Sequence, residues 1–72
     1  MRENELYISN VRYDLHTVQK VVAAKSTLAE IRIHEAEGGY LLTFYHCICP
    51  VQEAKYEFMQ CMNDVKRNKW IF

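Results

Sequence analysis

Only two glycines punctuate this chain of 72 residues, and they are neighbours, Gly38 and Gly39. A single proline, Pro50, is the other break. A chain this poor in both contains no flexible linker, repeat or low-complexity segment, and neither G-x-G-x-x-G nor a P-loop occurs. Charge of one sign is lacking too: nine Lys and Arg face nine Asp and Glu. That argues against a dedicated nucleic-acid binder, which carries a basic excess, and against docking on an anionic membrane. No apolar run approaches the roughly 18 residues that span a bilayer. The opening MRENELYISN has no apolar leader core. Cysteine is sparse and odd in number, three in all. Cys47 and Cys49 stand too close to bridge easily, and a secreted disulfide scaffold is stapled more systematically. The expectation is a cytoplasmic chain with reduced thiols.

What remains is enough for one small domain, residues 1–72. A chain of this size buries only about 60% of its unfolded surface, so a twin subunit or partner adds burial that the monomer lacks. ELYISNV (5–11) alternates, with Leu6 and Ile8 on one side and Tyr7, Ser9 and Val11 on the other, which predicts a strand. Asp14 is placed to cap a helix, because its carboxylate accepts from free first-turn amides. Leu15, Val18, Val21 and Val22 form that helix's apolar stripe, which ends near residues 25–27. LAEIRIHEAE (28–37) alternates again, with Ala29, Ile31 and Ile33 opposite Glu30, Arg32 and His34. EGGY is a hairpin turn. YLLTFYHCIC (40–49) is the strongest strand, with Tyr40, Leu42, Phe44, His46 and Ile48 expected on one face. Pro50 opens a second helix. Its stripe is Val51, Ala54, Phe58, Cys61 and Val65, widened by Met62.

The order β-α-β-β-α predicts an α+β fold: a three-stranded sheet, order 1-3-2, with two helices on one face. This is a ferredoxin-like sandwich without its fourth strand. The missing strand would have paired with the first, so the first strand is expected to be an open edge.

The stretch YHCICP gathers His46, Cys47 and Cys49. On a continuous strand the two cysteines project opposite to His46, so the three cannot converge on one ion. A structural zinc site wants four ligands, and there is no CxxC pair. No metal and no cofactor are expected. Cys49, near a helix start, is the better candidate for a reactive thiol, because a helix dipole lowers a thiol pKa. Asp14, His16 and Thr17 are neighbours, but Asp14 is explained as a cap. Nothing marks a nucleophile with its base and orienting acid, so the expectation is that this is not an enzyme.

The sheet face opposite the helices carries more. Tyr7, Leu41, Thr43 and Tyr45 are expected there as an interface, with Trp70 and Phe72 of the terminal KWIF as a second contact. A half-apolar face of this kind marks an interaction surface. The favoured expectation is a homodimer or a complex with a protein or peptide. Single-stranded RNA stacked on the same aromatics is the alternative, and a thiol or metal role comes third.

The sequence also resembles one family. Tyr13 opening the first helix, then Phe58, Asn63, Asp64 and Arg67 in the last, is similar to the small His-Xaa-Ser system protein HxsD. The likeness spans most of the chain and rests on patterning. It implies an accessory protein in a bacterial system whose radical enzymes modify a repeat-containing peptide. It implies a non-catalytic role, binding precursor peptide or maturase, for which the open first strand would suit an added peptide strand.

Overall fold

The computed structural model describes residues 2–67. The elements are β1 (Glu5–Ser9), α1 (Leu15–Ala24), β2 (Glu30–Ala36), β3 (Gly39–Tyr45) and α2 (Val51–Lys66). The sheet order is β1-β3-β2, with β3 antiparallel to both neighbours. β1 and β2 are therefore parallel to each other, and α1 crosses between them. This is the predicted α+β arrangement, in which a hairpin strand inserts between the two strands of a split βαβ unit.

One core sits between the sheet and the helices. Ile8, Leu42 and Phe44 of the sheet meet Val18 and Val21 of α1 and Ala54, Phe58, Cys61 and Met62 of α2, all buried. The helical members recur at three- and four-residue spacing, so each helix turns one apolar stripe inward. Phe44 and Phe58 contact edge to face, 5.7 Å between centroids at 84°, an arrangement that the ring quadrupoles favour. Tyr13 ties the loop before α1 to the far end of α2: its hydroxyl donates to Asn63 Oδ1 at 2.7 Å.

Asp14 caps α1 as expected, Oδ1 accepting from the Thr17 N–H at 2.8 Å. That bond holds the Asp14 carboxyl below its ordinary pKa. A carboxylate with a depressed folded pKa contributes stability above its unfolded value, about 3.9, and loses that contribution as pH falls through the folded value. Asp14→Asn keeps a capping oxygen but removes this titration. Its thermal midpoint is expected to fall less than the wild type's as pH is lowered below about 4, as read by circular dichroism.

Three boundaries differ from the expectation. β1 stops at Ser9, because Ser9 C=O turns to accept from the Arg12 and Tyr13 amides. Val11 then lies 88% exposed. Pro50 precedes α2 as its cap residue, with its C=O accepting from the Ala54 N–H. The third difference is the largest. β3 ends at Tyr45, four residues short of Cys49, and His46 takes a left-handed φ of 53°.

Candidate functional site

The outer face of the sheet is built by alternation. Across the strands, Tyr7 lies beside Leu41 and Leu41 beside His34; Glu5 lies beside Thr43 and Thr43 beside Arg32; Tyr45 lies beside Glu30. Both helices pack against the opposite face, so no layer of the described chain covers this one. Tyr7 is 42% exposed and Tyr45 38%. Leu41, directly beside Tyr7, is half-buried. These three stand where the sequence placed them.

Thr43 does not serve as surface. It is only 7% exposed, hemmed in by Glu5 and Arg32 on the flanking strands. Alternation locates the face of a side chain but not the reach of its neighbours. Trp70 and Phe72 lie outside the described residues.

Two internal contacts organise this face. Tyr7 Oη donates to Glu37 C=O at 2.9 Å and pins the β2–β3 hairpin turn to β1. Arg32 lies over Tyr45, its guanidinium carbon 5.3 Å from the ring centroid. Glu30 holds it there, accepting from Nε at 3.0 Å and from Nη2 at 2.9 Å. A guanidinium stacks well on an aromatic face. The sequence reading put Arg32 on this face without a role. Its spacing from Glu30, two residues on one strand face, was the available signal. One end of the face is thus a charged clamp on Tyr45 and the other an apolar patch of Tyr7 and Leu41.

The YHCICP stretch is arranged otherwise than alternation predicts. Because His46 adopts the left-handed region, the strand breaks there. His46 and Ile48 turn to solvent, while Cys47 and Cys49 pack against the core. That reverses the expected sides. The physical reason is the need to bring Pro50 across the core face so that α2 can cover it. His is among the residues that tolerate this backbone conformation. Among the described residues, no group of three or more His, Cys, Asp or Glu is placed to hold a metal ion.

Burial pushes the Cys49 thiol above its usual range, and Glu53, Cys47 and Glu57 push it the same way. The Glu53 carboxylate stands in the first turn of α2, where a helix start would otherwise favour the thiolate. Cys61 is raised too, first by burial in the core. Iodoacetamide at neutral pH is expected to modify Cys49 more slowly in the folded chain than in the urea-unfolded one, followed by mass spectrometry. Faster modification on folding would contradict this account.

His16 and Thr17 sit in the first turn of α1, where the Thr17 amide is used by the cap. No pocket forms among the described residues, and no helix there is long and apolar enough to cross a membrane. No family model, curated protein or solved structure matches the chain.

Proposed function

We propose that this protein is a non-catalytic interaction module, a homodimeric scaffold that presents the outer face of its sheet to a protein or peptide. The observation that carries this reading is the sheet face that no layer of the described residues covers, where Tyr7, Leu41 and Tyr45 form a half-apolar surface. Rigid aromatics of this kind supply contact area at low entropic cost. Arg32, already oriented by Glu30 over Tyr45, adds a preorganised donor for a carboxylate or carbonyl of the partner.

The resemblance to HxsD supports an accessory role in a peptide-modifying system, with a precursor peptide or its maturase as the partner. Tyr13 and Asn63, two of the positions that carry the likeness, meet in a hydrogen bond. The zero net charge weighs against the RNA alternative.

Photo-crosslinking tests the reading. A benzophenone amino acid is placed at Tyr45, or at Tyr56, which is exposed on α2. Crosslinks to a protein or peptide are expected from position 45 and not from 56. The same products from both positions would contradict the reading, and RNA products from 45 would favour the alternative.

A further inference from the structure

We infer that two copies of the chain join edge to edge through β2, antiparallel about Ile33, so that their sheets merge into one. The inference rests on the homodimer in the reading above and names the surface that forms it.

Phe44 N–H donates to Asn4 C=O, and Asn10 N–H donates to Gly38 C=O. In an antiparallel pair, residues that exchange hydrogen bonds alternate with residues that do not. The even-numbered residues of β1 thus turn toward β3, and Glu5, Tyr7 and Ser9 turn outward. On β3 the even-numbered residues serve β1, so the odd-numbered ones serve β2. Their partners there are Glu30, Arg32, His34 and Ala36. The N–H and C=O groups of Ile31, Ile33 and Glu35 therefore point away from the sheet.

The two edges are not equivalent. The chain itself covers much of β1's: Glu5 N–H donates to Arg2 C=O, Glu5 C=O accepts from Lys55 Nζ, and Ser9 C=O accepts from the Arg12 and Tyr13 amides. The edge expected to be open is tied down at both ends. On β2, no partner from the described residues reaches the outward groups of Ile31, Ile33 and Glu35. The core is open at the same place. Ile31 and Ile33 lean to the helix side but stay half-exposed, whereas Leu42 and Phe44 of β3 are buried. A row of donors and acceptors that no described residue covers, beside half-exposed apolar side chains, takes an extended strand.

β2 is complementary to itself. With the dyad at Ile33, all seven residues of Glu30–Ala36 find a partner. Ile33 faces its own copy, and Ile31 faces Glu35 of the second copy, so every outward N–H and C=O is used. On the other side Arg32 faces His34 of the second copy. Moving the dyad to Arg32 sets Arg against Arg, and moving it to Arg32 or His34 leaves residues of Glu30–Ala36 without a partner. Like charges directly opposite are destabilising, so the Ile33 register is preferred. The dyad stands perpendicular to the sheet. Both outer faces then lie on one side of a continuous sheet, and all the helices lie on the other.

The test combines sedimentation equilibrium with amide hydrogen exchange by NMR, in reducing buffer, over a wide range of protein concentration. The expected result is a dimer in which the Ile31, Ile33 and Glu35 amides exchange at least about tenfold more slowly than in dilute monomer. Glu35→Pro removes one outward donor per copy. The Glu35 side chain is exposed, and proline is tolerated on sheet edges. Folding should be retained, with dimerisation weakened about tenfold or more. Tyr56→Glu, at a position exposed on α2, should leave the dimer intact. A dimer whose three amides exchange freely would overturn the edge while leaving the homodimer reading standing. A monomer at every concentration would overturn both. The exchange measurement uses the wild-type chain, so it decides even where Glu35→Pro does not fold.

Discussion

Gly39→Ala is expected to be the most damaging single-methyl change in the chain. A Cβ built at Gly39 would collide with Ile8 O, and would lie 2.9 Å from Tyr7 Oη. The hydroxyl belongs to a side chain that can move, but the carbonyl belongs to β1, the strand paired with β3 through this residue. Relief requires β1 to pull away from β3, and with it Ile8 from the core. The Tyr7 hydrogen bond to Glu37 is lost in the same movement. Overpacking of this kind costs about 3 kcal/mol. A domain of this length has roughly 7 kcal/mol in all, at about 0.1 kcal/mol per residue. Gly38→Ala provides the comparison. Its φ of 73° strains an L residue, but the nearest atom to its Cβ is the movable Tyr7 hydroxyl at 3.1 Å. Urea unfolding of both variants checks the order, with Gly39→Ala expected to lose clearly more than Gly38→Ala.

Phe58→Ala is the second large effect. Phe58 is fully buried at the centre of α2's stripe and contacts Phe44 on the middle strand. Truncation removes transfer energy and leaves a cavity against a sheet that cannot collapse onto it, at about 3 to 5 kcal/mol. For a domain of this size that lowers the thermal midpoint by about 15 °C or more. Phe58→Leu keeps an apolar branch against Phe44 and is expected to lose less. Equal midpoints for Phe58→Ala and wild type would mean that the helix–sheet core is not packed as described.

The parts of the fold that were legible in sequence are those written in periodicity. Alternation in β1 and β2 and the stripes of both helices named Ile8, Val18, Val21, Ala54, Phe58 and Cys61 as inward residues, and all are buried. The hairpin glycines and the apolar middle strand pointed to order β1-β3-β2. The end of β3 was not legible. Residues 46 to 49 continue a plausible strand pattern, and only the demand that α2 cross the core face turns His46 left-handed. Cys47 and Cys49 moved to the core side for that reason. On the candidate face, alternation placed Tyr7, Leu41 and Tyr45 correctly. It could not show that Glu5 and Arg32 enclose Thr43, since that depends on cross-strand register. The difference between the two edges was not legible for a related reason. Topology makes β1 and β2 both outer strands, and only the hydrogen bonds of Glu5 N–H to Arg2 C=O, of Lys55 Nζ to Glu5 C=O and of the Arg12 and Tyr13 amides to Ser9 C=O show that β1 is the more occupied edge.

The most direct measurement is hydroxyl-radical footprinting of the tyrosines inside cells that produce the protein, compared with the purified chain at low concentration. Tyr7 and Tyr45 report the outer face and Tyr56 reports α2, and all three are exposed in the isolated chain. If the outer face is a contact surface, Tyr7 and Tyr45 are protected in cells and Tyr56 is oxidised equally in both settings. Equal oxidation of Tyr7 and Tyr45 in both settings would contradict the account.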